Sequence, residues 1–202
     1  EEGYVLVSFD YRLAPETRVP DIAGDVLDGM RWLHAQGPEL FHADTSRIVV
    51  AGNSAGGYLT LLMGAQMAPR PAALVSCWGY GDIDETWVTQ PSESHRTNIP
   101  LFSREQVISA VGDRPISETS PDNMDAQNAR IGYYLYLRQN GFWTREVTGF
   151  DPESEMEKIF PFSPIHHITP AYPPTLLIHG TADADVPYEK SIKMAEALER
   201  NG

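Results

Sequence analysis

Short apolar segments alternate with amphipathic segments along this chain, and the alternation constrains its fold more than any other feature. The apolar segments have the length and branched side chains of buried parallel strands; they are residues 4–9, 48–51, 72–77 and 175–179. Apolar residues recur at helical spacing between and after them, over residues 21–36, 55–67 and 189–200, and Gly37-Pro38 is predicted to end the first helix. The sequence therefore predicts an α/β fold with a mostly parallel sheet and helices on both faces.

A long connection separates the third and fourth predicted strands. Residues 81–171 exceed any ordinary loop, so we expect them to have structure of their own. Ser103-Arg104-Glu105-Gln106 has the form of a capping box that opens a short helix ending at Gly112. Ser120-Pro121 then places a cap and a first-turn proline before a second helix over residues 122–140.

The domain prediction follows from this connection. Residues 1–80 and 172–202 would form the core, and residues 81–171 a helical cap over the carboxyl ends of the strands. The insert is rich in aromatic side chains, and a simpler alternative is that residues such as Tyr133 and Tyr136 face only the cap's own interior.

Composition excludes several classes of function. Fifteen Lys and Arg against 28 Asp and Glu give a net charge of −13, which argues against a nucleic-acid partner. A hydrophobic fraction of 42% suits a chain with a buried core, and no apolar run approaches the roughly 20 residues of a membrane span. The single cysteine, Cys77, cannot form an internal disulfide, which favours a cytoplasmic location.

Gly52-Asn53-Ser54-Ala55-Gly56 lies between a predicted strand and a predicted helix. This is the context of a Gly-x-Ser-x-Gly nucleophile elbow, in which a sharp turn exposes the serine hydroxyl. Gly52, Gly56 and Gly57 would let the helix and strand approach closely. The amide of Ala55, at the helix N-terminus, would point at a developing oxyanion. The alternative is a glycine-rich turn in which Ser54 merely caps the helix.

An acidic loop follows the last predicted strand, where a carboxylate can reach an active site. We predict Asp183 as the acid that orients a catalytic histidine, with Asp185 as its competitor. His166, His167 and His179 are predicted to be structural, and no metal site is expected.

Together these motifs resemble the α/β-hydrolase superfamily. Tyr11-Arg12-Leu13-Ala14-Pro15-Glu16, the Ser54 turn, and Ser163-Pro164-Ile165 leading to the Asp183 loop are similar to hormone-sensitive-lipase-like carboxylesterases, and next to prolyl-oligopeptidase-like hydrolases. The resemblance implies that Ser54 is the nucleophile, Asp183 the triad acid and Ala55 part of the oxyanion hole. It implies packing and ion pairing for Tyr11 and Arg12.

The resemblance also sets out what this chain does not contain. In the family the catalytic histidine follows the acid, whereas all six histidines precede Asp183. The His-Gly-Gly-Gly type segment and one earlier strand of the family are missing as well. We therefore expect the chain to be an internal fragment of a longer hydrolase, truncated at both ends, with sheet edges that favour self-association into homo-oligomers.

The expected function is that of a serine hydrolase. The parent protein would hydrolyse a small-molecule carboxylic ester through an acyl-enzyme on Ser54 and need no cofactor, although this chain alone could be inactive. Two alternatives stay open: a non-catalytic binding or interaction module on a hydrolase scaffold, and a serine peptidase of prolyl-oligopeptidase type.

Overall fold

Three parallel strands form the sheet. The computed structural model describes residues 3–117 and 124–201, with only the backbone for residues 124–126. The strands are β1 (Val49–Asn53), β2 (Ala73–Cys77) and β3 (Thr175–Ile178), and they lie in that order across the sheet. β2 pairs with both neighbours in parallel, as in the register that places Ala51 opposite Val75 and Val75 opposite Leu176. The predicted α/β class and parallel sheet are confirmed.

The prediction of a buried strand over residues 4–9 is wrong. This segment has no strand assignment, and the side chains of Tyr4 and Leu6 are 90% and 95% exposed. A strand requires a neighbour to pair its backbone groups. No described strand lies beside this segment, so its apolar sequence alone cannot form one. Phe9 is its anchor and packs against Gly29 of the first helix.

The first helix, α1 (Val19–Phe41), continues beyond its predicted end. Pro38 lies inside its last turns, where a missing N–H removes only one hydrogen bond of the helix. The helix ends instead at Phe41, because His42 after it adopts the left-handed conformation, and the Ala43 N–H donates to the Gly37 carbonyl at 3.2 Å. Arg12, in the segment before α1, forms an ion pair of 2.6 Å with Asp25 of that helix, as the predicted ion-pairing role requires.

Two helices flank the predicted site and contact the sheet. α2 (Ala55–Gln66) starts immediately after β1, and α9 (Glu189–Asn201) follows the loop after β3. A buried cluster of Leu61, Leu74 and Met194 joins both helices to the sheet. Val50 of β1 and Leu177 of β3 pack against the same cluster, so the strands that lead to the two predicted catalytic loops share one core.

The insert is helical, with short elements. Its helices are α3 (Thr86–Thr89), α4 (Glu93–Thr97), α5 (Arg104–Val107), α6 (Met124–Asn140), α7 (Trp143–Thr148) and α8 (Met156–Ile159). α5 gives way to a 3₁₀ turn well before the predicted end at Gly112. The Ser103 N–H does donate to Gln106 Oε1 at 2.7 Å, as a capping box requires. The predicted cap at Ser120-Pro121 lies outside the described residues.

The insert and the predicted core share one interior. Tyr133 and Leu137 of α6 pack in the same hydrophobic cluster as Val19 of α1 and Tyr58 of α2. Tyr136 packs against the same cluster, so Tyr133 and Tyr136 do not face only the interior of the insert, as the simpler alternative supposed. The division into residues 1–80 with 172–202 and residues 81–171 stays a prediction.

Candidate active site

Ser54 occupies a strained turn between β1 and α2. Its backbone has φ 51° and ψ −119°, a conformation that side chains other than glycine rarely adopt and that is concentrated at functional sites. The Ser54 N–H donates to the Cys77 carbonyl at 2.9 Å, which fixes the turn to the end of β2. Its side chain makes no capping bond to α2, so the alternative of a capping serine is not what the geometry supports.

Glycine is required at two positions around this turn. A Cβ on Gly52 would lie 2.3 Å from the Gly56 carbonyl oxygen, and one on Gly57 would lie 2.9 Å from the Gly79 Cα. Both contacts are with backbone, which cannot move aside cheaply. Gly56 itself has open space where its Cβ would be, so its predicted role in close approach is wrong. The space that Gly52 leaves accommodates the carbonyl of Gly56.

Asp183 lies in the loop between β3 and α9, with a firmly held carboxylate. Its Oδ1 accepts from the Asp185 N–H at 2.9 Å and from the Val186 N–H at 3.0 Å. Its Oδ2 is 3.3 Å from His179 Nε2. His179 also contacts the Val186 carbonyl and the Ser191 hydroxyl, and so it orders this loop as predicted.

Asp185 has different surroundings from Asp183. Its Oδ1 accepts a hydrogen bond from the Tyr134 hydroxyl, lies 3.2 Å from His95 Nε2 and lies 3.4 Å from Arg138 Nη1. Burial, and then the charge of Arg138, lower the pKa of His95. Burial above all raises the pKa of Tyr134. Both groups are therefore neutral near pH 7, and each can donate to the carboxylate.

Two cavities meet beside the turn. The first, of about 310 Å³, is lined by Ser54, Ala55, Tyr80, Trp87, Tyr134, Arg138, Trp143, Asp185 and Val186. The second, of about 280 Å³, is predominantly apolar and extends between the Tyr11–Pro15 segment, α1 and α6. Both include Ala55, Tyr80, Tyr134 and Trp143. Ala55, whose amide is the predicted oxyanion donor, thus lies where the two cavities join.

His166 and His167, which precede β3, also have structural partners. His166 contacts Asp84 at 2.8 Å, and His167 contacts the Phe160 carbonyl at 2.9 Å. Within residues 3–117 and 124–201, no histidine is hydrogen-bonded to the Ser54 hydroxyl. The same part of the chain contains no group of three or more His, Cys, Asp or Glu residues placed to hold a metal ion. None of its helices is long and apolar enough to cross a membrane.

Tyr134, Arg138 and His95 are the residues that the sequence interpretation missed. Tyr134 and Arg138 are four positions apart on α6, which places them on one helix face. That spacing was the available signal. Only the fold brings the face against Asp185, 47 residues beyond Arg138.

Residues 1–198 match the BD-FAE family. The chain belongs to the BD-FAE family. This BD-FAE chain is 28% identical over 197 residues to esterase LipC of Mycobacterium tuberculosis, covering 98% of the chain and 41% of LipC. It is also 28% identical over 250 residues to the non-reducing polyketide synthase pkbA of Emericella nidulans, covering 99% of the chain and 10% of the synthase. The chain therefore spans less than half of either relative.

Solved structures agree with the family. A Staphylococcus aureus protein of unknown function superposes with a TM-score of 0.71 at 22% identity, covering 93% of this chain and 62% of that one. The similarity at this identity concerns the fold, and the fold of the BD-FAE chain is that of the α/β-hydrolases. The family match and the esterase relative, together with this fold, confirm the predicted superfamily.

Proposed function

We propose that this BD-FAE chain carries the nucleophile and the acid of a serine hydrolase that cleaves carboxylic esters. The strained Ser54 turn, with its uncapped side chain in the wall of a cavity, is the observation that carries the proposal. A conformation so costly is retained where it has a use, and exposing a nucleophile is the known use of this turn. The similarity to esterase LipC supports an ester as the substrate.

The proposed reaction proceeds through an acyl-enzyme. Ser54 Oγ attacks the ester carbonyl while a histidine accepts its proton, and the Ala55 N–H donates to the oxyanion that forms. Collapse of the tetrahedral intermediate breaks the bond to the alcohol, which takes the proton from the histidine. Water, activated by the same histidine, then releases the acid from Ser54. Asp183 orients that histidine and stabilises its charged form. No cofactor enters these steps.

The second cavity is the proposed site for one arm of the ester. Its walls are apolar and aromatic, with Tyr58, Tyr133 and Trp143 among them, and its volume of about 280 Å³ suits a small aryl or short aliphatic group. We therefore propose short-chain or aryl esters, rather than long-chain lipids, as substrates.

Hydrolysis of p-nitrophenyl acetate tests the proposal, measured on the full-length protein that carries this chain. Ser54→Ala should lower kcat by at least about 10³-fold, and Asp183→Asn by about 10²- to 10⁴-fold. Ser46→Ala, a substitution in an exposed turn, is the matched control and should leave kcat unchanged. Full activity in Ser54→Ala would contradict the proposal.

A binding module on a hydrolase scaffold is the second candidate. It is favoured by the observation that, in the described part of the chain, no histidine is bonded to Ser54. This candidate predicts no ester turnover in the full-length protein, with Ser54→Ala behaving as the native protein does.

A serine peptidase would instead hydrolyse a p-nitroanilide peptide faster than the matching ester.

A further inference from the structure

The cavity beside Ser54 contains a charged pair that the proposed ester chemistry does not use. Arg138 and Asp185 both line it, together with the aromatic rings of Tyr80, Trp87 and Trp143. Arg138 is almost completely buried, with a side chain only 3% exposed, whereas the side chain of Asp185 is 47% exposed. The carboxylate is therefore the charged group that a molecule in this cavity can reach.

The contacts of Asp185 are concentrated on one of its oxygens. Tyr134, His95 and Arg138 all approach Oδ1. Among the described residues, no hydrogen bond goes to Oδ2. A carboxylate has about four acceptor positions, so those of Oδ2 are not used by the described residues, and the side chain as a whole is 47% exposed.

The surroundings of Asp185 hold it in position. Arg138 Nη2 donates to the Asp185 carbonyl at 3.2 Å and to the Trp87 carbonyl at 3.2 Å, while its guanidinium lies 4.8 Å from the centre of the Trp87 ring. The Asp185 N–H is bound to Asp183. A carboxylate fixed through its side chain and backbone costs little further ordering when it binds a ligand.

We propose that Asp185 is a specificity-determining residue that accepts a hydrogen bond from a hydroxyl group close to the scissile ester. This inference rests on the proposed function of Ser54. Asp185 Oδ2 supplies a charged acceptor, and the aromatic walls supply apolar contacts for the carbon skeleton that bears the hydroxyl. A substrate with a carboxylate at this position would be repelled by Asp185, and one with a methyl group would leave Oδ2 desolvated without a partner.

Two isosteric pairs of esters test the inference on the full-length protein. 2-Hydroxyethyl acetate against propyl acetate places the hydroxyl in the alcohol portion, and ethyl 3-hydroxypropanoate against ethyl butanoate places it in the acyl portion. The native protein should prefer the hydroxyl-bearing member of one pair by about tenfold in kcat/KM, and that pair identifies which portion occupies this cavity. Asp185→Asn should reduce the preference at least about fivefold, because a neutral acceptor replaces a charged one.

Controls separate this role from catalysis and from folding. Asp28→Asn, at an exposed aspartate of α1, should leave both preferences unchanged. Tyr134→Phe removes one donor to Asp185 and should reduce the preference partially, and it provides the same readout if Asp185→Asn unfolds. Thermal unfolding of each variant checks its folded state.

Three results would overturn the inference. The native protein could show no preference for the hydroxyl-bearing ester in either pair, or a preference that both Asp185→Asn and Tyr134→Phe leave intact. The third is that Asp185→Asn and Asp183→Asn lower kcat/KM equally on all four esters. The last result would make Asp185 part of the catalytic machinery. Hydrolysis of propyl acetate by Ser54→Ala would instead refute the proposed function itself, so the two failures are distinguishable.

Discussion

At Ser54, the backbone has a positive φ of 51° and forms hydrogen bonds with the backbones of Cys77 and Tyr58. This backbone places the Ser54 side chain at the junction of strand, helix and cavity. The strain is tolerated because the surrounding backbone is closely packed, and Gly52 makes that packing possible. The chemistry proposed for Ser54 therefore depends on a residue that has no reactive group.

Gly52→Ala tests this dependence. The added Cβ would meet the Gly56 carbonyl oxygen at 2.3 Å, so the free energy of unfolding should fall by at least about 2 kcal/mol. Gly24→Ala is the matched control, since it adds a Cβ into open space in the middle of α1 and should stabilise the protein by up to about 1 kcal/mol. Urea denaturation measures both. Equal stabilities of the two variants would contradict the packing account.

Local patterns predicted the sharp turn at Ser54 and the loop at Asp183, because each depends on neighbours within a few positions. The Ser54 turn depends on five consecutive residues, Gly52 to Gly56, and Asp183 accepts hydrogen bonds from the N–H groups of Asp185 and Val186. The partners of Asp185 could not be predicted in the same way. Tyr134 reaches it across 51 positions, and such contacts depend on how α6 packs.

Among the elements, α6 connects the insert to both cavities. Arg130 forms two bonds of 2.8 and 3.0 Å to the carboxylate of Glu16, whose side chain is only 2% exposed. Arg138 lies about two turns further along the helix and contacts Asp185. α6 therefore contributes to the wall of the apolar cavity and also positions the Asp185 carboxylate in the cavity beside Ser54.

Arg130→Met tests the anchoring of α6. Removing one member of a buried pair leaves Glu16 without its main partner, so the free energy of unfolding should fall by about 1–3 kcal/mol. Arg31→Met should change it by less than about 0.5 kcal/mol, because the ion pair of Arg31 with Asp28 is exposed. Chemical denaturation compares them. A loss in Arg130→Met no larger than that in Arg31→Met would show that the pair does not anchor α6.

Sequence patterns correctly located helices and strands that bury an apolar face against neighbouring elements. They were less successful where a strand depends on backbone pairing with a distant part of the chain. α2 and β2 lie where they were expected. Residues 4–9 have the composition of a strand, yet strand formation depends on a neighbour that no local pattern reveals. The end of α1 was misplaced because one proline near a helix terminus costs too little to stop it.

At the scale of the whole molecule, carboxylates outnumber cations by 13, and some of them are held charged in the fold. Burial alone would raise the pKa of Glu16, but hydrogen bonds from Arg130 and the Gly112 N–H outweigh it and lower that pKa. Burial opposes ionisation of Asp84 too, and the bonds from Ser163 and His166 similarly lower its pKa.

These lowered pKa values predict acid sensitivity. A carboxyl whose pKa is lower in the folded state stabilises it above the ordinary pKa of about 4, and this stabilisation is lost as pH falls through the folded value. The thermal midpoint should therefore decrease below about pH 4.5. In Glu16→Gln the decrease should be shallower, because one of these groups no longer titrates. Calorimetry between pH 7 and pH 3 measures the slopes, and parallel curves for the two proteins would refute this assignment.

One face of the sheet is exposed to solvent in the described part of the chain. Val49, Leu176 and Ile178 share that face and are 55%, 56% and 47% exposed. The predicted self-association should therefore appear as a concentration-dependent sedimentation coefficient of this chain, and Leu176→Lys should reduce it. A strictly monomeric species at all concentrations would contradict the prediction.

The most direct test of the central claim is covalent labelling of the full-length protein by a fluorophosphonate, followed by peptide mass spectrometry. Such a probe reacts with a serine whose hydroxyl is activated within a hydrolase site. We predict a single modified peptide with the adduct on Ser54, labelling that is lost in Ser54→Ala and retained in Ser46→Ala. An unlabelled protein, or an adduct at another serine, would contradict the assignment of Ser54 as the nucleophile.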